Sequence, residues 1–173
     1  MKSISEKVEA MGRDEQLEFA RRIALNLLET RARSSEELRR AMARKLVPEE
    51  IIEELLGRLE AVGLVDDEAF ATALVNTRTK VARRGARHIR QELRSKGVPD
   101  DVAAEALAAV DPEDELEAAR TFATKKMRSM QGLDTVVAKR RLYGALARRG
   151  FGSDVVRCVV DEVLLEADDP FDE

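Results

Sequence analysis

The sequence contains one cysteine, one histidine, no tryptophan and only 3% aromatic residues, and each scarcity excludes a class of protein. The single cysteine, Cys158, cannot form an intrachain disulfide, and its valine-rich surroundings predict a buried side chain. The lone histidine, His88, has no Cys or His partner for zinc, and it falls on a predicted helix surface, which argues against a general base. The nine glycines are scattered at turns, so no phosphate-binding loop is present. We therefore expect a binding protein that is not an enzyme and holds no cofactor or metal.

Long apolar runs are also absent. No uncharged run approaches the roughly 20 residues that span a bilayer, and the first residues contain no apolar signal segment. We expect a cytoplasmic protein with no membrane partner. The few aromatic residues favour helices packed through Leu, Val, Ile and Ala over a β-sandwich or barrel.

Charged residues are abundant but segregated by sign. They make up 37% of the chain, and the net charge of -4 is an average over blocks of one sign. Positions 39 to 45 and 139 to 149 carry cations only, and positions 83 to 96 carry six cations with Glu92 as the single acid. Positions 98 to 119 carry eight acids and no base. The charge of each element is therefore more informative than the total.

The chain repeats with a period near 50 residues. Phe-Ala pairs begin at Phe19, Phe70 and Phe122, at spacings of 51 and 52 residues. A fixed period of this size predicts small tandem units, each of which must bury its apolar face against a neighbour. Leu46 of the first unit stands where the later units have Gly97 and Gly150, which leaves the turn after its second helix open.

Each unit is predicted to contain three helices. Ser34 and Glu37 have the spacing of a capping box, and Asp66 and Asp111 are expected to start the first helices of the second and third units. The predicted fold is all-α, an elongated right-handed array of three tandem three-helix repeats. Its divisions are an N-terminal extension (1–15), three repeats (16–65, 66–110 and 111–167) and a disordered acidic tail (168–173).

The basic blocks are the positive signal for function. Arg87, Arg90 and Arg94 are spaced by three and four residues, so they lie on one side of a helix, where they could contact phosphates or an acidic protein groove. Cations in the last turn of a second helix, such as Lys96 and Arg149, also stabilise the helix dipole without any ligand. The predicted binding face contains Arg39, Arg40, Arg83, Arg84, Arg87, Arg90, Arg94, Lys96, Arg140, Arg141, Arg148 and Arg149.

Three segments, among others, carry a family resemblance: Gly63 to Ala71, Ile89 to Leu93, and Leu146 to Phe151. By their sequence, order and spacing the chain resembles the RecX family, bacterial regulators of the RecA recombinase. The resemblance implies an elongated array that lies in the groove of a RecA filament on single-stranded DNA. It also implies restraint of filament growth, with lower ATP hydrolysis, strand exchange and coprotease activity of RecA, and hence a role in DNA repair, DNA recombination and the SOS response.

The partner implied by the resemblance is the RecA nucleoprotein filament, with a direct contact to single-stranded DNA left open, and the expected state is a monomer. Two other functions remain open from the residues alone. One is a helix-turn-helix DNA-binding regulator, although no helix combines Arg with Asn or Gln at base-reading positions. The other is a helical scaffold for an unrelated protein.

Overall fold

A computed structural model describes Val8 and residues 10–167, and the predicted acidic tail (168–173) lies outside them. The described residues form nine α-helices and no strand, which confirms an all-α fold of three three-helix repeats. The helices are α1 (Arg13–Leu28), α2 (Ser35–Ala43), α3 (Glu49–Ala61), α4 (Asp67–Lys80), α5 (Ala86–Ser95), α6 (Asp100–Ala108), α7 (Pro112–Arg128), α8 (Thr135–Arg148) and α9 (Ser153–Ala167).

Side-chain caps set the starts of several helices, as the sequence predicts. The Ser34 hydroxyl accepts the Glu37 N–H at 3.1 Å, and the Glu37 carboxylate accepts the Ser34 N–H at 3.2 Å, which completes the capping box before α2. Asp66 and Asp111 each accept a backbone N–H of the following helix at 2.9 Å. These bonds satisfy donors that a helix cannot pair internally.

The first helix begins earlier than the predicted repeat boundary at position 16. The Glu15 carboxylate accepts the Gly12 N–H at 2.9 Å, so α1 begins at Arg13. Three residues of the predicted N-terminal extension therefore belong to the first helix.

The chain divides into two compact units. The first contains the described residues up to Ala71 together with Arg94–Val102. Its core lies between α1, α2 and α3, where Leu38, Met42 and Ile52 are fully buried. Burial of each such side chain stabilises the fold by roughly 1.5–3 kcal/mol.

The second unit contains Thr72–Leu93 and the described residues from Ala103 onward. Its core lies between α7, α8 and α9, where Leu142, Leu146 and Val160 are fully buried. The second repeat contributes to both units, since α4, α5 and α6 each contain residues of both.

In the first unit, the start of α2 is completed by residues of the second repeat. The fully buried Ser34 hydroxyl donates to the Lys96 carbonyl at 2.5 Å. The Ser35 N–H donates to the Asp67 carboxylate at 2.8 Å. We call these two bonds the first inter-repeat contact.

In the second unit, the start of α5 is completed by residues of the third repeat. The Gly85 N–H donates to the Arg149 carbonyl at 3.0 Å, and the Ala86 N–H donates to the Glu115 carboxylate at 3.3 Å. A Cβ on Gly85 would lie 2.3 Å from the carbonyl carbon of Gly150. This second inter-repeat contact therefore requires a residue without a side chain at position 85.

The turn after each second helix has the same left-handed backbone. Its φ is +62° at Leu46, +73° at Gly97 and +92° at Gly150. Glycine adopts this conformation without steric cost, whereas leucine pays roughly 1–2 kcal/mol. The first repeat thus keeps the turn of the others despite its leucine.

The expected burial of Cys158 is wrong. Its side chain is exposed on α9, whereas Val156, Val159 and Val160 point into the core. The valine-rich neighbourhood belongs to the opposite face of the helix.

We predict that Gly85→Ala destabilises the protein by about 2–3 kcal/mol, because the new methyl group collides with backbone at Gly150. Gly57→Ala is the matched control: nothing lies within 4 Å of its added Cβ, and alanine is the better helix former by up to about 1 kcal/mol. Urea unfolding should show opposite signs for the two variants. Equal stability of Gly85→Ala and the unchanged chain would contradict the close approach.

We also predict that Leu46→Gly stabilises the protein by about 0.5–1 kcal/mol. Relief of the left-handed leucine exceeds the larger chain entropy that glycine adds to the unfolded state. Little burial is lost, because Leu46 is 52% exposed. A lower unfolding midpoint in urea would show that the leucine packs more favourably than its exposure indicates.

Candidate functional site

Arg149, a predicted binding residue, binds the chain segment that leads into α5. Its guanidinium donates to the carbonyls of Ala82 at 2.6 Å and Arg83 at 3.1 Å, and it lies 4.5 Å from the ring centre of Phe122. Partial burial, followed by the nearby charge of Arg84, lowers the pKa of Arg149 from its ordinary value. Arg83 turns the chain here with φ at +52°.

Three predicted binding residues at the start of the second repeat's middle helix carry unneutralised charge. Arg84, Arg87 and Arg90 form no ion pair with any described residue, and Arg87 and Arg90 are exposed. We call these three residues the cationic stripe. The Arg87 N–H donates to the Gly150 carbonyl at 3.1 Å, so the helix turn that carries the stripe is held against the third repeat.

Glu92, the one acid among positions 83 to 96, does not neutralise the cationic stripe. Glu92 is bound by both Nε and Nη2 of Arg78 at 2.7 Å. This two-bond geometry holds the Glu92 carboxylate of α5 against Arg78 of α4, and the hydrogen bond with Glu92 raises the pKa of Arg78. The paired Arg78 and Glu92 thus leave the stripe positive.

A second cationic surface lies on α8 and the end of α7. A groove of about 450 Å³ has no acid in its lining. Its four cations pair with no described carboxylate, whereas the neighbouring Lys139 binds Asp161 at 2.9 Å. We call it the basic groove; it is lined by Lys126, Ser129, Met130, Arg140, Arg141, Gly144 and Arg148.

The predicted binding residues of the first unit have carboxylate partners. Arg39 contacts Glu36 at 2.9 Å and Glu53 at 2.7 Å, and Arg40 contacts Glu36 at 2.8 Å. Arg40 also donates to the Ser95 carbonyl at 2.8 Å. Both arginines are therefore engaged within the first unit.

The other two predicted binding residues of this unit are paired as well. Lys96 contacts Glu37 at 3.4 Å, and Arg94 contacts Asp100 at 3.1 Å. The Arg94 pair is well exposed and contributes little, whereas Glu37 and Lys96 are both half-buried.

The sequence prediction missed Lys126, which lines the basic groove. The signal was present, since Lys125, Lys126 and Arg128 follow one another in the last turn of α7 with no nearby acid. Cations at the C-terminal end of a helix also stabilise the helix dipole, so their sequence position alone did not indicate that they lie beside α8.

Among the described residues, no group of three or more His, Cys, Asp or Glu side chains could hold a metal ion. No helix in that part of the chain is long and apolar enough to cross a membrane.

The second repeat completes a helix of the first, and the third completes a helix of the second. This arrangement defines a helical-repeat protein, and its second unit has a basic surface. Three family models match in order: the first three-helix domain of RecX at residues 20–59, the second at 66–107 and the third at 113–160. The chain belongs to the RecX family, which confirms the resemblance seen in the sequence.

Relatives and solved structures agree with this assignment. The chain is 41% identical over 153 residues to Regulatory protein RecX of Amycolatopsis mediterranei, covering 88% of this chain and 87% of the relative. It is 39% identical over 150 residues to Regulatory protein RecX of Streptomyces coelicolor, covering 87% and 80%.

The fold matches two crystal structures. One is RecX from Lactobacillus salivarius, with a TM-score of 0.82 at 22% identity, covering 88% of this chain and 99% of that one. The other is a regulatory protein RecX with a TM-score of 0.79 at 28% identity, covering 86% and 74%.

We predict an acid-labile contribution to stability from Glu37. Burial alone would raise its pKa, but hydrogen bonds from Arg31 and Ser34 and the charge of Lys96 lower the pKa to about 2. The folded pKa is below the unfolded one, so this stabilisation is present above about pH 4.5 and is lost as the pH falls toward 2.

The Glu37→Gln variant isolates this effect from other carboxylates. It should be less stable than the unchanged chain by about 1–2 kcal/mol at pH 7, and the gap should narrow below about pH 4.5 and approach zero near pH 2. Urea unfolding between pH 7 and pH 2 measures the gap. A gap that does not change with pH would exclude an ionised Glu37 as the cause.

Proposed function

We propose that this chain is a negative modulator of RecA, which binds in the groove of the RecA filament on single-stranded DNA. In that position it limits filament growth and lowers ATP hydrolysis, strand exchange and coprotease activity. It acts in the cytoplasm as a monomer, without a cofactor and without catalysing a reaction, and it thereby affects DNA repair, DNA recombination and the SOS response.

The observation that carries this proposal is the unneutralised charge of the second unit in a member of the RecX family. The cationic stripe and the basic groove together contain seven cations that pair with no described carboxylate, although the whole chain has a net charge of -4. A nucleoprotein filament offers DNA phosphates and acidic side chains as complementary partners.

The anchoring of the stripe favours binding with little loss of conformational freedom. The Arg149 guanidinium donates to the carbonyls of Ala82 and Arg83, and the carbonyls of Arg149 and Gly150 accept from Gly85 and Arg87, so this segment is held in place without a partner. A surface that is already ordered loses less entropy on association than a mobile one.

The cations of the first unit have a different role in this proposal. Arg39, Arg40 and Lys96 already contact carboxylates or carbonyls, and using them for a partner would break those contacts. We assign them to the stability of the first unit and assign binding to the second.

We predict that the double variant Arg87→Glu, Arg90→Glu raises the concentration needed for half-inhibition of RecA ATP hydrolysis by about tenfold or more. The reason is charge reversal at two exposed positions without ion pairs. The matched control is Arg44→Glu, Lys45→Glu after α2, which makes the same change of charge at two exposed positions of the first unit that also form no ion pair with a described residue. Circular dichroism should confirm that both variants remain helical.

Equal loss of inhibition in both variants would show that net charge alone matters, and unchanged inhibition in the first would exclude the stripe. Binding to oligothymidine and to duplex DNA should be measured in parallel. Preference for one duplex sequence would favour a DNA-binding regulator, and no binding to RecA or DNA would favour a scaffold.

A further inference from the structure

A groove of about 510 Å³ lies beside the basic groove in the second unit, between α7, α8 and α9. Half of its twelve lining residues are apolar, and we call it the apolar groove. Its apolar lining comes from all three helices and from the α7–α8 turn. Those residues are Met127, Met130, Leu133, Ala138, Val163 and Leu164. Met130 lines both grooves, so the two adjoin there.

The chain leaves the described structure at the edge of this groove. Val163, Leu164 and Glu166 contribute to the lining, and α9 ends at Ala167. The six residues that follow can extend to about 20 Å, which is enough to cross a groove of this size. Pro170 cannot continue the hydrogen bonds of α9, so the chain can turn back toward the groove.

The chemistry of those six residues matches both grooves. The sequence Asp-Asp-Pro-Phe-Asp-Glu carries four acids and a single aromatic side chain, Phe171. The phenyl ring fits an apolar lining, and the acids suit the cations at the end of α7, where Arg128 lines the apolar groove and Lys126 the basic groove. Neither cation forms an ion pair with a described residue.

We propose that residues 168–173 dock on this surface, with Phe171 in the apolar groove and the carboxylates against Lys126 and Arg128. In this position the tail competes with a polyanionic partner for Arg140 and Arg141 of the basic groove. The tail is thus an internal brake on the binding surface. The docking stands by itself, whereas its effect on RecA rests on the proposed function.

Docking can be measured without any partner, because the chain has no tryptophan. In the variant Phe171→Trp, the single indole should emit at short wavelength and resist quenching by acrylamide. Adding Leu133→Asp puts a carboxylate into the groove at a position that is 37% exposed, so the fold should survive. The indole should then emit as it does in water. An indole that is already fully quenchable in Phe171→Trp alone would overturn the docking.

The brake is measured by the affinity for labelled oligothymidine at low salt. Removal of residues 168–173 should raise the affinity by about threefold to tenfold, since four acids leave the surface. Phe171→Ser is the matched variant, because it keeps all four acids and removes only the anchor. It should give most of the same increase. If truncation raises the affinity for oligothymidine but Phe171→Ser does not, the effect comes from net charge, and the brake is overturned.

Inhibition of RecA ATP hydrolysis separates this inference from the proposed function. Phe171→Ser should lower the concentration for half-inhibition by a factor similar to its gain in DNA affinity. Failure of every variant to inhibit RecA would overturn the proposed function and leave the docking result intact. Inhibition by the full chain that Phe171→Ser leaves unchanged would overturn the brake on RecA alone.

Discussion

In the first and second repeats, the first turn of the second helix depends on the repeat that follows. A helix leaves its first N–H groups without internal partners, and burial makes such groups costly. Here carboxylates of the next repeat accept two of them, Asp67 from Ser35 and Glu115 from Ala86. The carbonyl groups after α5 and α8 face the same helix starts. Stability in this protein is therefore shared between neighbouring repeats, as in other tandem arrays.

Much of the local structure could be predicted because its signals lie within one turn of helix. The capping box of Ser34 and the caps of Asp66 and Asp111 need only three or four residues of sequence. The inter-repeat contacts could not be predicted, because Ser34 and Lys96 are 62 residues apart and neither residue type reveals its partner. The predicted burial of Cys158 was wrong for a related reason: its valine neighbours are evident from the sequence, but the face of α9 on which it lies is not.

The candidate site was predicted by counting cations, and counting does not reveal which of them have partners. Arg39 and Lys96 lie in basic blocks, yet both contact carboxylates supplied from elsewhere in the chain or from the preceding turn. The sequence places Glu37 and Arg141 at equivalent positions of the first and third repeats. In the first repeat this position binds Lys96, whereas in the third it lines a groove without acids. The repeats thus share a backbone and differ in charge.

The second inter-repeat contact also makes the repeats differ at equivalent positions. Gly85 tolerates the approach of Gly150 only because it has no side chain, and the equivalent residue of the first repeat is Ser34. A serine at position 85 of the observed backbone would place its Cβ 2.3 Å from the Gly150 carbonyl carbon. The three repeats are therefore not interchangeable at this junction: a first-repeat sequence in the middle position would need a compensating change at Gly150.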